Sequence, residues 1–471
     1  MFTRCTILMA GLLALASPSR AATCDYILVS TTDFSTGSTS PLNPETKAAT
    51  LNVESIHSDA VLRASGVDGL IYVVNRSGGD NIQVLDPCDG FATVHQFSTG
   101  NGSNPHDIVF YSAGKAYVSR YDMTSVLIMN PQTGATLGTI NLAAFADADG
   151  LPEMDQMFLA GDYLCVLLQR LDRNNFYTPV GSGYMVVIDT ATDTVVDMDA
   201  VAGGVQPVTL LRANPYSEVN LTILEGESVA YFSGTGYFGV LDGAVQSVSL
   251  ANPATQAIIL TDTAAGGDVL DVEIISDTIG YAIVATPSFT TILIQFNPST
   301  GTKTGATLYA PGGYDLNDCE PYDLDGTLLL TDRKATNPGV RCFDLSTGAQ
   351  VTVSPINVGL PPFDILLDVG VPTAAATPPV ETRLGACYPN PFNPSTTIPF
   401  TLVRDGHVTL RVYDAGGRLV ATLVDTTLPA GAHRAQWNGT NAVGHAVASG
   451  AYFARLETDG RTETGKLLLV K

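Results

Sequence analysis

The stretch "PHDIVFYSAGKAYVSRYDMTSVLIMNPQTGATLGTINL", Pro105 to Leu142, holds four short β-prone runs separated by turn residues. Its third run ends in "MNPQTG", an apolar residue followed by Asn, Pro and an exit Gly. Asn accepts local backbone hydrogen bonds, Pro presets φ, and Gly relieves the end of a tight turn. The pattern of an apolar residue, Asn or Asp and then a turn occurs seven times: "LNPETK" at Leu42, "LDPCDG" at Leu85, "MNPQTG" at Met129, "IDTATD" at Ile188, "LDGAVQ" at Leu241, "FNPSTG" at Phe296 and "FDLSTG" at Phe343. Upstream of each lies another strand: "YILVS", "IYVVN", "AYVSR", "YLCVL", "AYFSG", "YAIVA" or "LLLTD".

Four short strands per repeat, at roughly 45 to 50 residues per copy, are the pattern of a β-propeller blade. Seven copies predict an all-β protein with a seven-bladed β-propeller across residues 22–369. The mature chain begins with a second strand, "CDYILVS", and the missing inner strand reappears as "PPFDILLDV", Pro361 to Val369. The first blade is therefore expected to join three N-terminal strands to one C-terminal strand, closing the ring.

Met1 to Ala21 carries Arg4, the apolar run "ILMAGLLALA" and the small residues Ser19 and Ala21 before a cut, the pattern of a secretory signal peptide. The expected location is extracellular or on a bacterial cell surface, and no later run is long enough for a membrane span. From Ala22 to Cys387 there are 13 Lys+Arg against 40 Asp+Glu, and from Tyr388 onward 8 against 6. So acidic a body repels nucleic acid and anionic membrane and attracts cations. Cys24, Cys88, Cys165, Cys319, Cys342 and Cys387 remain after export, with no CxxC pair. A Cys24–Cys88 disulfide is expected to staple the N-terminus on the face opposite the acidic rim.

Residues 370–387 read as a Pro/Ala-rich linker. The prolines of "YPNPFNPSTTIPF", Tyr388 to Phe400, then hold the chain extended before six alternating runs, which predict an immunoglobulin-like β-sandwich over 388–471.

Two resemblances accompany these readings. Through "GSNPHDIVF", "GKAYVSRYD" and "NPQTG", residues 24–369 resemble YncE-like, surface-layer-type seven-bladed propellers, which implies a fold and no shared catalytic set. Through "YPNPFNPSTTI", "VYDAGGRLVATLVD", "GAHRAQWNGTNAVGHAVASGAYFARL" and "KLLLVK", the terminal domain resembles the FlgD-like Ig domain of flagellar hook capping. That pattern also serves as the type A C-terminal sorting domain of type IX (Por) secretion. The resemblance implies the secretion machinery as a partner; a plain spacer is the alternative.

No nucleophile elbow, HExxH, Walker loop or dinucleotide fingerprint is present, so the chain does not read as an enzyme. Acids recur where inner strands begin: Asp59, Asp107, Asp155, Asp271, Glu320 and Asp364, with "QPVTL" the blade that lacks one. Arginines recur at second-strand ends: Arg76, Arg120, Arg170 and Arg333. These ten residues either pair structurally or form a charged rim that holds a ligand. His57 and His106 beside them read as ordinary rim residues. "DADG" supplies Asp147 and Asp149, with Glu153 following, and resembles part of a calcium loop, which makes calcium the one cofactor to consider. The expected function is binding of an extracellular saccharide, small molecule or protein. A calcium-dependent hydrolase or lactonase, and a structural surface-layer component, are the alternatives.

Overall fold

The computed structural model describes residues 26–199, 202–224, 227–250, 252–253, 255–368, 383–384, 392, 396–402, 406–428, 431–442, 445–458 and 461–470. The expected signal peptide, Cys24 and most of the expected linker lie outside them. Among the described residues of 26–368, seven antiparallel sheets of three to five strands succeed one another, with one further two-stranded ribbon, Leu171–Asp172 paired with Thr178–Pro179. In six of them the strand order follows the chain, and the first strand of each contacts first strands of neighbouring sheets, so these strands line a common axis. The remaining sheet takes Pro362–Asp368 as its inner strand beside Tyr26–Thr32, Gly37–Leu42 and Glu54–Ile56. The ring closes by pairing the first and last strands of the propeller segment, as the sequence order predicts. Numbering this closing sheet blade 1, the other inner strands are Ala60–Ala64, Pro105–Ser112, Met154–Ala160, Asn220–Leu224, Asp268–Ile274 and Leu316–Tyr322 for blades 2 to 7.

The turn signature works as its chemistry suggests. Asn130 Oδ1 accepts from the N–H groups of Gln132 and Thr133 at 2.9 and 3.1 Å, and Asn43, Asp86, Asp189, Asn297 and Asp344 act likewise after their own strands. Gly134 closes one such turn at φ +71°, where a Cβ would strike the Phe97 ring of the preceding blade. The fifth copy is misplaced: Asp242 precedes the third strand of blade 5, Ala244–Ser249, instead of following it. "QPVTL" is likewise no inner strand. Val208–Thr209 pairs with Tyr184–Asp189 of blade 4, and the long gap before Ala230 is filled by this extra strand. Blade 7 has three regular strands, its outer edge completed by the bridges Val340↔Ile356 and Phe343↔Gln350.

Apolar clusters lie between blades. Tyr117, Val126 and Ile128 of blade 3 pack with Met154, Val166 and Val186 of blade 4, and similar clusters fill other gaps. Each fully buried aliphatic side chain of this kind contributes roughly 1.5–3 kcal/mol. Cys88 is disulfide-bonded, while Cys165, Cys319 and Cys342 are buried free thiols.

The C-terminal residues form two sheets. Arg383–Leu384, within the expected linker, pairs with Thr396–Leu402, which pairs with Gly431–Trp437. The second sheet orders Leu419–Leu428, Gly406–Asp414, Gly450–Thr458 and Arg461–Leu469. One apolar cluster joins both, with Trp437 against Phe392 and Tyr452 at 5.4 and 4.9 Å. Phe392 donates its N–H to the Leu468 carbonyl and accepts from the Val470 N–H.

Candidate functional site: the mouth of the propeller channel

Inner strands begin, and second strands end, at one face of the ring. Here the sheets are irregular. In blades 1, 3, 4, 6 and 7 the register slips near the start of the inner strand, between Pro105 and Asp107 in blade 3 for example. Such a bulge inserts an extra residue and re-aims its neighbours. One residue is thereby turned toward the mouth and the next toward the adjoining blade.

The second kind binds the ring together. Met157 N–H donates to Asp107 (2.8 Å), Cys319 N–H to Asp271 (2.9 Å), Ile365 N–H to Asp318 (2.6 Å) and Leu62 N–H to Asp364 (2.6 Å). Each bond crosses from one inner strand to the next. Of the expected rim acids, Asp107, Asp271 and Asp364 occupy this position. Asp155 and Glu320 do not: the seam residue of blade 7 is Asp318, and in blade 4 Gln156 stands there. Asp59 precedes its inner strand altogether. A one-residue slip reverses side-chain direction, so alignment without the bulges selects the wrong acid.

Below the mouth the channel is acidic. Arg63 donates to Asp107 (2.7 Å) and Gln156 (3.1 Å) and pairs with Glu218 (2.9 Å) across the axis. Glu273 accepts from Asn220 at 2.5 Å. Burial, then neighbouring carboxylates, push Asp271 up to about 6 and Asp364 up to about 7, and hold Glu273, Asp318 and Glu320 well above the carboxylate range. Sequence reading missed Arg63, Glu218, Glu273 and Asp318. The spacing of Asp318 from Cys319, matching Asp107 from Ile108, was the available signal.

The expected arginines do not form a charged ring. Arg76 pairs with Asp59, Nε to Oδ1 2.8 Å. Arg120 donates to Ser125 and to the Thr99 carbonyl, Arg170 donates to the Ser182 carbonyl and lies over Tyr184, and Arg333 donates to the carbonyls of Pro362 and Thr32. The last three fix loops to backbone.

At the mouth itself, His106 Nδ1 lies 2.8 Å from Asp155 Oδ1, and its ring stacks on Tyr121 at 4.2 Å and 10°. Gln169 donates to Asp155 Oδ2 (2.6 Å) and to the Pro215 carbonyl (3.1 Å), and accepts from the Tyr121 hydroxyl (2.8 Å). Asp155 is 4% exposed, and His106 Nε2 has no partner among the described residues. Tyr216, next to Pro215, lies in the fields of Arg76 and Asp155. Exposed aromatic residues gather on this face: Phe34, Tyr216, Phe238, Phe289 and Tyr314. Phe238 and Tyr314 are 6.3 Å apart, and Arg333 lies 4.5 Å over Phe34. His57, by contrast, takes part in a local turn, where its ring accepts from the Asp59 N–H.

The oxygens of Asp147, Asp149 and Glu153 lie within 4.8 Å of one another. Arg173 is already among them, 3.1 Å from Glu153, and also pairs with Asp122. Leu171 N–H and Arg173 N–H occupy further oxygens of Glu153 and Asp149. Calcium takes six to eight oxygen ligands. Three carboxylates, two of which, Asp149 and Glu153, already face the Arg173 guanidinium at 3.9 and 3.1 Å, do not fit it.

No helix among the described residues is long and apolar enough to cross a membrane. No curated protein matches the sequence. Among solved structures, the Pseudomonas aeruginosa periplasmic gluconolactonase PpgL is 13% identical with a TM-score of 0.53, over 73% of this chain and 99% of that one. A Bacteroides fragilis protein, provisionally a 6-phosphogluconolactonase, is 16% identical with a TM-score of 0.51, over 75% of this chain and 100% of that one. At such identities the likeness speaks for the propeller fold alone. The terminal sandwich has a sequence match of its own: residues 395–461 fit the FlgD Ig-like domain family.

Proposed function

We propose that the protein is an exported propeller that binds an uncharged saccharide at the channel mouth, with the C-terminal domain serving secretion or anchoring. The observation that supports this most is the gathering of Phe34, Tyr216, Phe238, Phe289 and Tyr314, all exposed, on the face where His106, Asp59 and Arg76 offer hydrogen bonds. Aromatic faces suit the apolar faces of sugar rings, while a few convergent polar groups fix orientation. The acidic channel beneath disfavours anionic ligands. A neutral glycan array probed with the full chain, followed by calorimetry on hits, tests the reading. Tyr216→Ala and Phe238→Ala are expected to weaken binding at least ~10-fold each, which corresponds to about 1.4 kcal/mol. Binding unchanged in both variants would contradict it.

Hydrolysis is the second reading, favoured by the hydrogen-bonded His106–Asp155 pair. The secretory role rests on the FlgD-like match and the terminal position. Deleting 388–471 in the native host should abolish surface display or release; unchanged display would leave the domain a spacer.

A further inference from the structure

We propose that His106, oriented by Asp155, acts as general base in the hydrolysis of an uncharged ester or lactone held at the channel mouth. The inference rests on the mouth being the ligand site.

The arrangement has parts that general base catalysis needs: a base, an orienting carboxylate and a base nitrogen left without a partner. Asp155 accepts from Nδ1–H, which leaves the lone pair on Nε2, and Nε2 has no partner among the described residues. Stacking on Tyr121 fixes the ring plane, and Gln169 fixes both Asp155 and Tyr121. Three side chains from two blades thus determine one imidazole's direction. A seam needs no such network, since elsewhere one carboxylate accepting one N–H suffices. The Gln169–Pro215 bond brings the neighbouring Tyr216 segment to the same place.

In the step, His106 Nε2 takes a proton from water as the water oxygen bonds to the acyl carbon. The carbonyl electron pair moves to oxygen, and the Tyr216 O–H, on the segment held by the Gln169–Pro215 bond, is the group we assign as donor to the developing charge. Collapse breaks the acyl C–O bond, and the departing oxygen takes the proton from Nε2. Water is the only co-reactant, and the products are a carboxylic acid and an alcohol, joined in one molecule if the substrate is a lactone. Esters and lactones are electrophilic enough for base-activated water without a covalent intermediate. The carboxylates of the channel, countered by Arg63, select against substrates carrying phosphate or carboxylate.

The test is proton release, followed by pH-stat, from δ-valerolactone, δ-gluconolactone and 4-nitrophenyl acetate, with the full chain in EDTA and spontaneous hydrolysis subtracted. Wild type is expected to turn over at least one of them. His106→Gln should lower kcat/KM by at least ~100-fold, and added imidazole should restore turnover to His106→Gly. Asp155 is a positioning residue, so Asp155→Asn should lower kcat with KM little changed and alter the pH profile. Melting curves of each variant exclude simple unfolding. No turnover by wild type, or wild-type rates in folded His106→Gln, would overturn the proposal. If wild type binds a saccharide at the mouth yet hydrolyses none of the panel, hydrolysis falls and binding stands.

Discussion

The propeller and the terminal sandwich solve the problem of a core in opposite ways. The sandwich fills its centre with Trp437, Ile398, Leu410 and Leu456, and keeps pairs such as Arg418–Asp414 on the surface. The propeller keeps its apolar clusters between blades and leaves carboxylates along its axis. The axial strands cannot converge on a shared apolar centre without closing the channel, so backbone N–H groups bonded to Asp107, Asp271, Asp318 and Asp364 join them instead. Those acids are costly to bury as charges: Arg63 compensates Asp107 by direct pairing and Asp364 at longer range, while burial raises Asp271 and Asp318 toward their neutral forms. The molecule therefore carries two kinds of stability, one apolar and one electrostatic.

The contrast can be broken most sharply at Arg63 and Trp437. Arg63→Met leaves Asp107 and Glu218 without their shared cation, and is expected to destabilise the propeller by about 3–5 kcal/mol. Trp437→Ala should cost the sandwich a similar ~3–5 kcal/mol through a cavity. Calorimetry of the full chain should show each variant lowering a different transition. Both variants lowering one common transition would mean the two regions unfold together.

Acidity sharpens it further. Asp271, at about 6, and Asp364, at about 7, hold protons in the folded state that the unfolded chain releases near pH 4. Folded pKa values above unfolded ones stabilise most below the unfolded pKa, and that contribution is lost as pH rises through the folded values. The propeller should therefore lose a few kcal/mol between about pH 4 and pH 8, on the order of 1.4 kcal/mol for each tenfold difference in proton affinity between the folded and unfolded carboxyl. The sandwich transition should move much less. Denaturant melts at several pH values measure this, and a propeller equally stable at both ends would contradict it.

Asp107→Asn is a smaller perturbation, since an amide oxygen still accepts the Met157 N–H but no longer pairs with Arg63. About 1–3 kcal/mol is expected from urea unfolding. The smallest effect is at Asp147, Asp149 and Glu153. Because Arg173 supplies the countercharge, added calcium or EDTA should leave the melting temperature unchanged. A calcium-dependent rise that disappears in Asp147→Asn with Asp149→Asn would show that a cation displaces the guanidinium, since a ligand of the folded state stabilises by mass action.

The fold is legible because its signals are local and repeated. "MNPQTG" turns, the second-strand series and the displaced "PPFDILLDV" strand each depend on a few adjacent residues, and the structure builds them as written. The misplaced "LDGAVQ" and "QPVTL" fall in the blade 4–5 region, where an extra strand interrupts the spacing. The site is less legible. Spacing finds Asp155 as an acid in the right place but gives it the seam's role. The bulge that points it at His106 is a tertiary feature of two paired strands and leaves no mark on spacing. Arg63 gives no signal in the chain because its partners, Asp107, Gln156 and Glu218, come from three other blades and meet only across the channel.

The central claim is that function resides at the mouth, where bulges and second-strand loops converge. Hydrogen exchange of the full chain, with and without a saccharide found by the array, tests it directly. The account predicts slowed exchange in the mouth segments 33–36, 104–107, 153–156, 214–218, 235–243, 286–290 and 313–317. Protection confined to the outer strands, to the 147–153 loop or to residues 396–470 would contradict it.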